Sequence, residues 1–163
     1  QGALIYAYSS SAYWLDIGTP EKYLQVHHDL LNGKCRQYVL DLRHEVTIGA
    51  GSNLHPSVRL TGPVVIGANC SFGRDVTLVG PSVIGAGCEL MENSVVDKSV
   101  IWPNIWIGPR VSVKNSIVAD RCRLNADSIV EESVLGCNVT VGGGYRIVPG
   151  SRLLAGTTVG DKP

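Results

Sequence analysis

The chain has 163 residues, and its 14 lysines and arginines cancel its 14 aspartates and glutamates to a formal charge of zero. That balance argues against a nucleic-acid binder or a polybasic membrane-surface protein. No apolar run approaches the roughly 18 residues that span a bilayer, and no basic-then-apolar leader stands at the N-terminus. Cys35, Cys70, Cys88, Cys122 and Cys137 are odd in number and form no CxxC pair, so the expectation is a cytoplasmic protein with reduced thiols. Glycine reaches 19 residues while aromatics make up only 6%, which favours a core of Val, Ile and Leu in stacked β structure. The chain opens on Gln1-Gly2-Ala3, inside an apolar segment and without methionine, and reads as a piece of a longer protein.

In chain order, residues 3–8 and 12–17 read as two strands around the turn Ser9-Ser10-Ser11, a possible hairpin. Thr19 is an N-cap with Pro20 at the first helical position and Glu21 in the first turn. The helix should run to about Leu31 or Asn32 and stop at Gly33, presenting Tyr23, Leu24, His27, Leu30 and Leu31 on one face.

From Ile48 onward apolar residues recur every six positions, through Leu54, Leu60, Ile66, Phe72, Leu78, Ile84, Leu90 and Val96. The register slips by one residue and resumes at Ile101, Ile107 and Val113, then at Val118, Leu124 and Val130, then at Leu135, Val141, Ile147 and Leu153. Glycine often follows the anchor, and the third position after it favours Gly, Asn or Asp, residues that tolerate a left-handed corner. Each unit is a short strand plus a corner, three units make a triangular coil, and the 19 anchors make about six coils. This is a left-handed parallel β-helix, mainly β in class, about 30 Å long at the usual strand spacing of about 4.8 Å. The slips fall 17 residues apart, so three shortened corners should stack. Ser52, Cys70, Cys88, Ile105, Cys122, Val139 and Thr157 then share one inward column, where small residues suit a narrow prism and the thiols act as small hydrophobes.

Tyr13-Trp14-Leu15-Asp16-Ile17-Gly18-Thr19-Pro20-Glu21-Lys22-Tyr23-Leu24, followed by a helix and hexapeptide coils, resembles the end of a sugar-1-phosphate nucleotidyltransferase, most of all a mannose-1-phosphate guanylyltransferase. The order of motif, helix and β-helix covers the whole chain. The resemblance implies that residues 1–43 are the tail of a catalytic domain and residues 44–163 the β-helix. It also implies a parent enzyme that joins an NTP and a sugar 1-phosphate, GDP-mannose being the favoured product. Two aspartates hold Mg2+ in that family, and Asp16 matches one of them. The nucleotide-binding loop and the second aspartate have no counterpart here, since Gly142-Gly143-Gly144 serves a corner. The chain alone is therefore expected to be inactive, without a cofactor of its own, and to act in homo-oligomerisation and in support of the active site.

Two other readings stay open. Left-handed β-helices also serve acyltransferases that use acetyl-CoA and a coil histidine. Only His55 of His27, His28, His44 and His55 lies in the coils proper, at a corner and with no inserted loop, and a solvated corner residue is favoured for it. The same count excludes a carbonic anhydrase with three zinc-binding histidines. A purely structural assembly module is the last option. Trp102 and Trp106 flank inward Ile101 and Ile105 and should point outward, a candidate interface with a missing domain or another subunit, with shielding by neighbouring side chains as the alternative.

Overall fold

The computed structural model describes residues 4–34 and 45–160, so Cys35, His44 and the expected boundary at residues 43 and 44 lie outside the described residues. Short strands wind into three parallel sheets that form the faces of a left-handed prism. The first face stacks Val46–Ile48, Val64–Ile66, Ser82–Ile84, Val100–Ile101, Ile117–Val118, Val134–Leu135 and Arg152–Leu153. The second stacks seven strands from Asn53–Leu54 to Thr158–Val159, and the third five from Arg59–Thr61 to Ile129–Glu131. About six coils result, as the periodicity predicts.

The anchors point inward throughout. Ile66, Leu78, Ile84, Leu90, Ile101, Ile107, Leu124 and Leu135 are almost completely buried, while Ile48, in the first described coil, is half exposed. Ile147 is buried as an anchor but belongs to no strand, joining only through the bridge between Ile129 and Arg146. Val159 is a further anchor that the count above omits, packed against the core on the second face.

The slips fall where the sequence places them. Partners on the third face are 18 residues apart from Leu60 to Leu78 to Val96, then 17 apart from Val96 to Val113 to Val130. Each shortened corner turns on one residue at positive φ, Lys98 (46°), Asn115 (45°) or Glu132 (47°), followed by a buried serine. Ser99, Ser116 and Ser133 form a ladder in which each hydroxyl donates to a carbonyl of its own corner, and those of Ser99 and Ser116 accept the next serine's backbone N–H. One buried hydroxyl per coil thus pairs a backbone group that the tight turn takes out of the sheet ladder.

The left-handed corners fall on Gly51, Asn69, Asp75, Gly87, Asn93, Asn104, Asp127 and Asn138 as expected, and also on Arg110 and Arg121. Neither arginine suits that backbone, and composition gives no hint of them. Both reach down one coil: Arg110 forks onto Asp127 (Nε to Oδ1 2.6 Å, Nη2 to Oδ2 2.7 Å), and Arg121 Nε donates to Asn138 Oδ1 at 3.1 Å.

One expectation fails. Residues 4–18 contain no strand, so the hairpin is not formed. Leu4, Ile5, Tyr6 and Tyr8 are 81–95% exposed, and a lone two-stranded ribbon with no face to bury is marginal at best.

Candidate functional site

The helix α1, Pro20–Leu31, begins and ends as its sequence demands. Thr19 is extended, its Oγ1 accepts the Lys22 backbone N–H at 3.3 Å, and Gly33 takes φ 79° beyond the last turn. The predicted face of Tyr23, Leu24, His27, Leu30 and Leu31 is only half buried, and the most buried residue of the helix is Asp29. Its carboxylate accepts from Tyr13 Oη at 2.9 Å and pairs with Lys34 Nζ at 2.6 Å. The Lys34 contact is the main cause holding this carboxyl below its ordinary range. The bond from Tyr13 ties the extended segment back to the helix that follows it.

What α1 covers is a feature the hexapeptide reading leaves out. On the first face the outward residue before each anchor is apolar over five coils: Val65, Val83, Val100, Ile117 and Val134. The second face carries Asn53, Ser71, Glu89, Trp106, Arg123 and Thr140 at the same place, and the third mixes Arg59, Thr77, Val95, Ser112 and Ile129, so only the first face is apolar there throughout these coils. Val100 and Ile117 are buried, at 3% and 8% exposure, although they point away from the prism interior. The signal was available as a period of 17 or 18 within the outward positions alone.

Both ends of α1 are fastened. Near its start Glu21 accepts from Arg152 on the last coil at 2.8 Å, and near its end the His28 Nε2–H donates to the Lys98 carbonyl at 3.2 Å. Burial is the largest cause lowering the His28 pKa, which favours the neutral ring in this contact. Between them lies an open groove of about 280 Å³. Ile17, Gly18, Thr19, Pro20 and Tyr23 form one wall, and Trp102, Ile117 and Val134 the other.

The sequence-predicted site residues separate. Asp16 is exposed, its carboxylate folded toward Gly18, where an added Cβ would stand 3.6 Å from Asp16 Oδ2. Among the described residues no three of His, Cys, Asp and Glu gather into a metal site, and Asp16 stands as a lone exposed carboxylate. Such a single anionic ligand fits an ion that keeps its waters and takes further oxygens from phosphates. Trp102 and Trp106 both point outward but do not form one patch. Trp102 is 39% exposed and borders the groove, whereas Arg123 stacks its guanidinium 3.9 Å over the Trp106 ring on the second face.

His55 lines a cleft of about 620 Å³ with Pro56, Phe72, Arg74 and Glu92. Its Nδ1 accepts the Ser57 backbone N–H at 3.2 Å and faces the Ser57 hydroxyl at 2.9 Å. A backbone N–H can only donate, so Nδ1 is the acceptor here and the ring proton sits on Nε2. Cys70, Cys88 and Cys122 occupy the inward column as expected and donate to carbonyls of Gly85, Trp102 and Gly136 at 3.0–3.2 Å. Among the described residues no helix is long and apolar enough to cross a membrane.

Among solved structures, a hexapeptide transferase family protein from Anaplasma phagocytophilum superposes with TM-score 0.65 at 21% identity, over 69% of this chain and 72% of that one. A perosamine N-acetyltransferase from Caulobacter crescentus, solved with CoA and GDP-perosamine, aligns over 81% of this chain and 61% of its own at 19% identity and TM-score 0.39. The first of these likenesses shows the β-helix fold and no more. No curated protein matches the chain. The family described as the GMPPB C-terminal domain matches residues 60–162, which is most of the β-helix, and this chain belongs to that family.

Proposed function

We propose that these residues are the C-terminal support domain of a sugar-1-phosphate nucleotidyltransferase, in which a sugar-phosphate oxygen attacks the α-phosphorus of an NTP and pyrophosphate leaves. The observation that carries this reading is the junction: the segment with Trp14-Leu15-Asp16-Ile17-Gly18-Thr19-Pro20 leads straight into α1, which lies on a β-helix of the matched family. GTP and mannose 1-phosphate are the favoured substrates, GDP-mannose the product, and the cytoplasm the compartment. Bound Mg2+ would neutralise phosphate charge, with Asp16 as one of its anionic ligands. Residues 1–43 close the catalytic domain, the β-helix supports it and joins subunits into a homo-oligomer, and the 163 residues alone are inactive.

The acyltransferase reading draws no support from His55, because the ring's lone pair on Nδ1 is already taken by the Ser57 N–H and a general base needs a free one. The deciding experiment measures pyrophosphate release from GTP and mannose 1-phosphate by the intact protein, its Asp16→Asn variant and residues 1–163. Turnover should be present in the first, fall steeply in the second with partial recovery at high Mg2+ or Mn2+, and be absent in the third. Release by the 163 residues alone, or full activity in Asp16→Asn, would overturn the assignment.

A further inference from the structure

The residue after each anchor on the first face sits at a corner where the next coil presses close. The seven positions are Gly49, Gly67, Gly85, Trp102, Ala119, Gly136 and Leu154, in register through the pairing of Ile48, Ile66, Ile84, Ile101, Val118, Leu135 and Leu153. A Cβ at Gly49, Gly67 or Gly85 would approach backbone atoms of the following coil to 2.5 Å. The column is therefore built for glycine, and its described exceptions are Ala119, Leu154 on the last coil, and Trp102. A large aromatic in a column of small residues breaks the local rule, as functional positions do.

The place of Trp102 supplies the reason. It faces residues 17–20 across the groove, and Asp16 is the next residue back along the chain. The helix behind that segment spans about 18 Å at 1.5 Å per residue. Four coil steps, from Arg152 up to Ser82–Ile84, span about 19 Å. The helix thus runs along the face, held by Arg152 at one end and by the Lys98 carbonyl three coil steps away. The Arg152 pair is solvent-exposed and contributes little by itself. The chain that carries Asp16 is thus held by the Tyr13–Asp29 bond on one side and by the apolar groove walls on the other.

We infer that Trp102 is a positioning residue: it seats residues 17–20 against the β-helix and so sets where the Asp16 carboxylate stands. This rests on the metal-ligand role of Asp16 given above and adds the element that holds it in place. The β-helix then acts on the chemistry through a defined contact, and oligomer contacts elsewhere on it need not be invoked.

Trp102→Ala is a safe variant, since alanine already occupies the corresponding corner of the next coil. Two readouts on the intact protein test the inference. Hydrogen exchange of the Lys22 and Tyr23 amides should speed up at least tenfold in Trp102→Ala, with exchange at Ile107 and Leu124 unchanged. The half-saturating Mg2+ concentration should rise at least threefold while kcat at saturating Mg2+ stays near wild type, and Trp102→Phe should restore both values. Unchanged exchange at Lys22 and Tyr23 overturns the seating itself, whatever the reaction proves to be. Altered exchange with an unaltered Mg2+ requirement overturns the link to Asp16. An intact protein that is inactive, or indifferent to Asp16→Asn, removes the proposed reaction and with it the link, while the exchange result still decides the seating.

Discussion

The hydroxyl of Ser99 accepts the backbone N–H of Ser116 at 3.1 Å, 17 residues further on, while donating to the Asp97 carbonyl at 2.7 Å. Ser116 repeats the arrangement toward Ser133. With Ser82, whose hydroxyl takes the Ser99 N–H at 3.2 Å, these hydroxyls are what allow three coils to drop a residue at one corner without stranding a buried donor.

Ser116→Ala would leave the Ser133 N–H buried without its acceptor, at a cost of about 1–3 kcal/mol. The urea midpoint should fall accordingly while the slope of the transition stays the same. An unchanged midpoint would mean that the ladder is incidental to the shortened corner. The half-buried Ser112, which points outward on the third face, should be replaceable by alanine with little effect, which makes it the matched control.

Burial raises the Cys88 and Cys122 thiols from about 9.0 to about 11. Only the thiolate reacts, so at pH 8 both should resist alkylation in the folded chain and label readily in denaturant. The sign for stability follows from linkage: folding that disfavours the thiolate loses stability as pH rises from near 9 toward 11. Site-resolved mass spectrometry across that pH range checks the first point, and urea midpoints at pH 8 and pH 10.5 check the second. Equal labelling of Cys88 in native and unfolded protein would contradict the inward column.

The His55 ring should show the Nε2–H tautomer in long-range nitrogen–proton spectra, with Nδ1 unprotonated and the pattern lost in Ser57→Pro, which removes the backbone donor. Titration with acetyl-CoA should give no heat. An Nδ1–H ring together with a micromolar isotherm would instead restore the acyltransferase reading.

The period of six, the one-residue slips and the inward columns were legible in the chain because a β-helix is nearly one-dimensional. Each coil touches mainly its neighbours, so one local rule repeats and leaves its spacing in the sequence. Thr19, Pro20 and Gly33 mark the ends of α1 by the same local logic, since caps act within a turn. Residues 4–18 show the limit of such logic: alternation suggests a hairpin, but strands need a surface to bury, and Leu4, Ile5, Tyr6 and Tyr8 of the first expected strand stand exposed. The burial of Asp29, the left-handed Arg110 and the separate surroundings of Trp102 and Trp106 lay beyond reach for one reason. Each depends on a partner distant in sequence or one coil away: Tyr13, Asp127, the groove wall and Arg123. Where α1 lies was decided by the apolar outer column of a single face, because only packing in three dimensions brings Val100 and Ile117 under a helix some 80 residues earlier in the chain.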